Sequence, residues 1–151
     1  MVGDDNDLLA IALDQASSPT ESLYIRPEPR STSMRRQPVW NIEQMKAILG
    51  EQLCSQLLFM YAITGCDTTP RIFSIGKGKA IKNADKLKGP SVIFNKPDAT
   101  HAEIEQAGET ALKSLYRCEK YEDLNRARLQ KFCEKVSSST TYVEPQTLPP
   151  T

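Results

Sequence analysis

The sequence is poor in the residues that most small hydrolases and zinc proteins use. His101 is the only histidine, and nothing around it suggests a pairing with a serine or cysteine nucleophile. The four cysteines contain no C-x₂₋₄-C pair, the usual spacing of zinc ligands; they are Cys54, Cys66, Cys118 and Cys133. A histidine-based hydrolase and a zinc site are therefore both disfavoured, and we expect the cysteines to be reduced, intracellular thiols.

Long apolar runs and a net charge are also missing. No segment approaches the roughly 20 apolar residues that a membrane-spanning helix needs, and no charged-then-apolar leader opens the chain. We therefore expect an intracellular protein, nuclear or cytoplasmic rather than secreted, without a membrane partner. The 19 Lys and Arg residues balance the 19 Asp and Glu residues, so the global charge gives no argument for nucleic-acid binding.

The charges are nevertheless unevenly distributed along the chain. An acidic run, Asp4-Asp5-Asn6-Asp7, stands close to the first residue. A basic block follows position 67; its members are Arg71, Lys77, Lys79, Lys82, Lys86 and Lys88. A local anionic ligand is therefore compatible with the zero net charge.

Hydrophobic periodicity and capping residues predict a mostly helical chain. Helices are expected over about 7–16, 41–50, 51–64, 76–87, 100–116 and 121–136. Residues 22–26 have strand composition, Gly89-Pro90 is predicted to stop the fourth helix, and 91–94 is either a short strand or an apolar anchor. The last helix is expected to face inward with Leu124, Ala127, Phe132 and Val136. The Ser-, Thr- and Pro-rich segment 137–151 is predicted to be a linker or tail.

One carboxylate follows an apolar segment into a polar loop, Ala62-Ile-Thr-Gly-Cys-Asp-Thr-Thr-Pro70. Gly65 can end a buried helix there, and Asp67 stands beside two threonines. Asp67 is either a metal ligand or the cap of the next turn, and local chemistry favours neither. Cys66 is assigned to packing, because the neighbouring negative charge is expected to raise the pKa of its thiol.

A Gly/Lys turn, Ile75-Gly-Lys-Gly-Lys-Ala80, follows this loop closely. Gly76, Lys77, Gly78 and Lys79 stand at a predicted helix start, where backbone N–H groups and the helix dipole suit a phosphate. Lys82 would extend the positive charge along the helix. The turn lacks the G-x-x-x-x-G-K-[ST] pattern of a Walker A loop. An ordinary solvated, lysine-rich helix is the alternative interpretation and the commoner one.

The acidic run at the start offers further oxygen ligands. In an extended segment, Asp5 and Asp7 point the same way, and an apolar helix follows at once. Such carboxylates suit Mg²⁺ or Mn²⁺, which also bind water and substrate phosphate, and Asp4 is an additional candidate. Acidic residues are also favoured in the first turn of any helix, and this alternative is the more frequent one.

The stretch 57–80 resembles part of the flap-endonuclease-like, PIN-fold nucleases, in which an apolar helix ends in Gly-x-Asp and an Ile-Gly-x-Lys turn follows. The resemblance implies that Asp67 helps to bind a divalent metal, and that Asp5 and Asp7 match the family's upstream acidic pair. It also implies a helix–two-turn–helix element that grips the DNA backbone and can host a monovalent cation. The residues that match this element are Gly76, Lys77 and Gly78.

The chain also resembles long PIN-like proteins associated with mobile elements in invertebrate and fish genomes. They have a similar Thr-Gly-Cys-Asp-Thr run, Gly-Lys-Gly turn, Gln-Lys-Phe-Cys segment and Leu-Pro-Pro-Thr tail. The resemblance implies a three-layer α/β fold with a parallel sheet flanked by helices. Residues 1–136 would be the C-terminal part of such a domain, mostly helical around one or two strands, with the metal loop and DNA-binding turn at 65–88. A two-metal mechanism would then be under-ligated.

Two functions are predicted from these patterns. The first is structure-specific, nuclease-type hydrolysis of a DNA or RNA phosphodiester, with Mg²⁺ or Mn²⁺ held by Asp5, Asp7 and Asp67. This chemistry is expected of an intact domain more than of the present chain. The second is a catalytically inactive module that binds nucleic acid or a protein through the basic helix.

Overall fold

The structure is a computed structural model, in which residues 6–16, 22–26, 39–138 and 142–150 are described. Its contacts divide the chain into two compact units, Met1–Ala62 and Ile63–Thr151. Within the described ranges the chain is mostly helical and has one small antiparallel sheet. The predicted mostly helical character is therefore confirmed, whereas the parallel sheet of a PIN-like fold is not among the elements of these ranges.

The first unit combines short helices with the two-stranded sheet. Its elements are α1 (Asn6–Gln15), β1 (Tyr24–Ile25), β2 (Trp40–Asn41), α2 (Ile42–Leu49), α3 (Glu51–Cys54) and most of α4 (Leu57–Thr64). Asn41 caps α2, because its side chain accepts a hydrogen bond from the N–H of Gln44. Gly50, with a φ of 82°, ends α2 as predicted. The single helix expected over 51–64 is instead the pair α3 and α4.

The core of the first unit joins α1 to the sheet. Ala10 and Leu13 of α1 are buried together with Ile25 of β1 and Ile42 of α2. Lys46 of α2 donates a hydrogen bond from Nζ to the carbonyl oxygen of residue 16, 2.6 Å away. This bond satisfies a carbonyl just past the end of α1, where partners within the helix run out.

The described residues that follow α4 in the second unit form four further helices and a short turn. They are α5 (Lys77–Lys82), α6 (Ala84–Phe94), α7 (His101–Tyr116), α8 (Leu124–Ser138) and a 3₁₀ turn at Pro145–Thr147. α6 packs along α7, and Leu87 of α6 is buried, as are Ala107 and Ala111 of α7. Thr100 and Glu103 form the predicted capping box at the start of α7.

The prediction that Gly89-Pro90 stops a helix is wrong. α6 runs through both residues and includes 91–94, which were expected to form a strand or an apolar anchor. The helical stretch breaks earlier, at Asn83, which separates α5 from α6. A proline inside a helix costs about 3 kcal/mol. Pro90 and Ser91 are both buried, so the packing of α6 outweighs that cost.

The end of the chain also differs from the prediction of a linker. Leu148 and Pro149 are buried, and the guanidinium of Arg128 on α8 donates a hydrogen bond to the carbonyl oxygen of Pro149. Lys135 on α8 donates to the hydroxyl of Thr147. Two of the residues predicted to face inward on α8 are exposed instead, with exposed fractions of 43% for Phe132 and 51% for Val136. The reason is that α8 turns a different face, which carries Ala127 and the stems of Arg128 and Lys135, toward the rest of the unit.

Candidate phosphate-binding site

The loop after α4 is a compact turn closed between Cys66 and Thr69. The N–H of Thr69 donates to the carbonyl oxygen of Cys66 at 3.3 Å, and the N–H of Cys66 donates to the hydroxyl oxygen of Thr69 at 3.0 Å. Gly65 enters the loop with a φ of +95°, and a Cβ at this position would lie 2.6 Å from the Cα of Arg71. Only glycine fits here, because the backbone is left-handed and Arg71 leaves no room for a side chain.

Asp67 lies in this turn and is exposed to solvent. The hydroxyls of the next two residues, Thr68 and Thr69, lie close to the sulfur of Cys66, with both Sγ–Oγ1 distances at 3.3 Å. Hydrogen bonds from Thr68 and Thr69 stabilise the thiolate and lower the pKa of Cys66 to about 7. The expectation that the neighbouring carboxylate raises this pKa is therefore wrong, since the hydroxyls determine the direction of the shift.

The Gly/Lys turn lies directly against this loop. Gly76 is the N-cap of α5, and its carbonyl oxygen accepts hydrogen bonds from the N–H groups of Lys79 and Ala80 at 2.9 and 3.3 Å. The Nζ of Lys77 donates a hydrogen bond to the carbonyl oxygen of Gly65, 3.1 Å away. Two motifs that the sequence presents separately are therefore joined by one contact.

A pocket of about 400 Å³ opens between the loop and the turn. It is lined by Thr64, Gly65, Arg71, Ile72, Ser74, Ile75, Gly76 and Lys77. Arg71 and Lys77 place two positively charged side chains on its wall, and Arg71 forms no ion pair within the described part of the chain. A planar guanidinium and an ammonium group in one pocket are well suited to a phosphate or carboxylate anion.

The other predicted phosphate-binding residues differ in their surroundings. Gly78 and Lys82 are exposed on α5. Lys79 is half-buried, with its Nζ 5.8 Å from the centre of the Tyr116 ring. Burial lowers the pKa of Lys79, and the positive charge of Arg117 adds to this shift. Lys79 therefore belongs partly to the packing of the unit, whereas Lys82 remains available to an external anion.

The predicted metal ligands are divided between the two units, and two of them lie outside the described residues. Asp7 lies in the first turn of α1, which belongs to the first unit, whereas Asp67 belongs to the second. Asp4 and Asp5 lie outside the described residues. Over 6–16, 22–26, 39–138 and 142–150, no three His, Cys, Asp or Glu residues are grouped closely enough to hold a metal ion.

Arg71 is the site residue that the sequence does not single out. It stands in the basic block, but its place beside Gly65 becomes evident only from the closed loop.

None of the described helices has both the length and the apolarity to cross a lipid bilayer. Comparisons with protein-family models, curated proteins and solved structures find no match to this chain. The support for the site is the lining of its pocket and the hydrogen bond between Lys77 and Gly65.

Proposed function

We propose that the second unit binds a backbone phosphate of a nucleic acid between the loop 65–71 and the turn 76–77. The observation that carries the proposal is the hydrogen bond from Lys77 Nζ to the Gly65 carbonyl oxygen, 3.1 Å long. It keeps the start of α5 beside the glycine loop, so that Lys77 and Arg71 line the same pocket. Charge-assisted hydrogen bonds from these two groups would hold two phosphate oxygens.

The wider surface around the pocket supports a polyanion over a single small anion. Lys82, the last residue of α5, is exposed and adds a positive charge beyond the pocket. Successive phosphates along a strand could therefore meet successive positive charges, and each neutralised phosphate would release counterions. Not every lysine of the basic block contributes, because Lys86 is paired with Glu119 at 2.6 Å.

The enzymatic form of the proposal is a metal-dependent nuclease-type domain with a PIN-like parent fold. Asp67 would be one ligand of Mg²⁺ or Mn²⁺, and its support is that it stands in the same loop as Gly65 and Arg71. One exposed carboxylate is not enough for Mg²⁺ without further oxygen ligands, which Asp5 and Asp7 would have to supply. In this form, Gly76, Lys77 and Gly78 would hold the DNA backbone and a monovalent cation.

The second candidate function is a catalytically inactive module that binds nucleic acid with the same pocket. It is supported by the pocket itself, because Arg71 and Lys77 on the pocket wall are sufficient to bind a phosphate without any metal ligand. The two forms share the phosphate site and differ only in whether Asp67 takes part in cleavage.

Cleavage and binding assays on the same protein separate these forms. The substrates are branched and single-stranded DNA in the presence of Mn²⁺, and the variants are Asp67→Ala and Lys77→Gln. The nuclease form predicts cleavage that Asp67→Ala abolishes while binding survives. The binding form predicts no cleavage, together with DNA binding that Lys77→Gln weakens. DNA binding that is absent, or unaffected by Lys77→Gln and Arg71→Gln, would contradict the phosphate site itself.

A further inference from the structure

A second and larger pocket of the same unit adjoins the phosphate site. Its volume is about 730 Å³, within the range of roughly 300–1,000 Å³ that is usual for small-molecule sites. Arg71, Ile72 and Ser74 line both pockets, so that the two share a wall. The rest of the lining is formed by Pro70, Phe73, Tyr116, Arg128, Pro145, Gln146, Leu148 and Pro150.

An exposed aromatic ring forms part of this lining. Phe73 has an exposed fraction of 44%, whereas Ile75, two positions later, is 3% exposed. Ser74 between them has a φ of 57°, in the left-handed region that non-glycine residues seldom adopt. The chain therefore bends sharply at the pocket, so that Ile75 is buried and Phe73 remains on the pocket wall. An exposed phenyl ring offers a flat apolar face to a second ring.

Other parts of the wall are held in place by contacts within the unit. Tyr116, the last residue of α7, is half-buried, and burial raises the pKa of its hydroxyl. Arg128 of α8 donates a hydrogen bond to the carbonyl oxygen of Pro149, which fixes the prolines of the chain end beside the pocket. Two arginines, two aromatic rings and several apolar side chains thus surround one open space.

We propose that this pocket receives an unstacked base of a single-stranded nucleic acid, whose phosphate is held by Arg71 and Lys77. The inference rests on the proposed function, because the base pocket is placed by the phosphate site that it adjoins. The base stacks on Phe73 and contacts the apolar groups of the wall, while the guanidinium of Arg128 is also on the wall and can meet polar atoms of the base edge. Stacking on an aromatic ring tolerates all four bases, so no strong sequence preference is expected.

A preference for single strands follows from this geometry. A base inside a duplex is stacked and paired, and it would have to be extruded before it could enter a pocket beside the backbone. A single strand presents both the phosphate and the unstacked base without that cost. We therefore expect single-stranded DNA to bind more tightly than a duplex of the same sequence.

An abasic oligonucleotide isolates the contribution of the base. The probe is a fluorescein-labelled oligothymidylate of about 12 nucleotides, and its partner has the same phosphates and sugars but no bases. Fluorescence anisotropy is measured with the wild-type chain, Phe73→Leu and Lys77→Gln. Phe132→Leu is the matched control, since Phe132 is exposed to a similar extent, 43% against 44%, and lies outside both pockets.

We expect oligothymidylate to bind roughly 5- to 100-fold more tightly than the abasic strand. Phe73→Leu should remove most of the affinity difference between the two strands and leave the affinity for the abasic strand unchanged. Phe132→Leu should change neither the difference nor the affinity for the abasic strand. Thermal denaturation of each variant checks that the fold is retained. Equal binding of the two strands by the wild-type chain overturns the base pocket and leaves the phosphate site standing. A loss caused by Phe73→Leu without any effect of Lys77→Gln overturns the phosphate site instead, and no binding of either strand overturns both.

Discussion

Lys77 and Gly65 are joined by a hydrogen bond across twelve positions of sequence, from the lysine Nζ to the glycine carbonyl oxygen at 3.1 Å. The bond connects the start of α5 to the loop that contains Asp67. It explains how two short motifs, each weak by itself, line one pocket with Arg71. A change on either side of this contact should therefore affect the whole site.

Replacing Gly65 by alanine should destabilise the second unit strongly. Gly65 has a φ of +95°, and an added Cβ would lie 2.6 Å from the Cα of Arg71, so the loop has to open. We expect a loss of about 2 kcal/mol or more in unfolding free energy, together with loss of anion binding. Thermal and urea denaturation measure the first effect, and anisotropy with labelled DNA measures the second.

Gly78→Ala is the matched control for this substitution. Gly78 lies inside α5, and no atom stands within 4 Å of the position that a Cβ would occupy. Alanine should therefore stabilise the chain by about 0.5–1 kcal/mol, because it lowers the entropy of the unfolded chain. If both glycine variants unfolded at the same temperature, the tight loop around Gly65 would be contradicted.

Cys66 should be more reactive near neutral pH than the buried thiols of Cys54 and Cys118. The hydroxyls of Thr68 and Thr69 lower its pKa to about 7, whereas burial raises the pKa of Cys54 and Cys118. Alkylation by iodoacetamide, followed by peptide mass spectrometry, should show a midpoint near pH 7 at Cys66. Thr68→Val should move that midpoint upward, and an unchanged midpoint would show that the hydroxyl does not stabilise the thiolate.

The same shift sets the sign of a pH effect on stability. The pKa of Cys66 is lower in the folded chain than its usual value, so the thiolate stabilises the folded state above that usual value. This contribution is lost as the pH falls through about 7. Cys66→Ser should remove the corresponding slope from the dependence of the melting temperature on pH.

Leu148→Ala should destabilise the second unit, although it lies in a segment with linker composition. Leu148 is buried beside Pro149, whose carbonyl oxygen is bound by Arg128. We expect a loss of about 2 kcal/mol in unfolding free energy, at the low end for buried leucines. Leu129→Ala is the control, because Leu129 is 52% exposed and should change stability by less than about 0.5 kcal/mol. Similar small effects of both substitutions would indicate a chain end that does not pack.

Acid should weaken the start of α7. The backbone N–H and the hydroxyl of Thr100 both donate to the carboxylate of Glu103 at 2.8 Å and lower its pKa. Because the folded-state pKa lies below the unfolded one, this stabilisation is present above the unfolded value and disappears as the pH falls through the folded value. Melting temperatures of wild type and Glu103→Gln should therefore converge at low pH, and parallel curves would contradict the capping box.

The helices were predictable where the local signal agreed with the tertiary packing. The Asn41 cap and the Thr100–Glu103 capping box fix the starts of α2 and α7, and both stand where the sequence places them. The helix end predicted at Gly89-Pro90 was wrong, because burial of α6 against α7 overrides the local preference of proline. The inward orientation predicted for Phe132 and Val136 was also wrong, since residues 148–149 pack on a different face of α8.

The candidate site was predictable in its parts but not in its assembly. The sequence identifies the Asp67 loop and the Gly76–Lys77 turn, each with an ordinary alternative explanation. It could not indicate that Lys77 reaches back to Gly65, because no periodicity encodes a contact between a side chain and a distant carbonyl. It also gave Arg71 and Phe73 no special role, since both depend on the shape of the closed loop.

The phosphate site at Lys77 is tested most sharply by the salt dependence of single-stranded DNA binding. The proteins compared are the wild-type chain, Lys77→Gln and Lys120→Gln. Lys120 is an exposed lysine of the same unit that lines neither pocket, so it controls for the loss of one charge. We expect weaker binding by Lys77→Gln at every salt concentration, with a slope of log K against log salt reduced by about 0.7, and little change for Lys120→Gln. Identical slopes and affinities for the three proteins would contradict a phosphate site at Lys77.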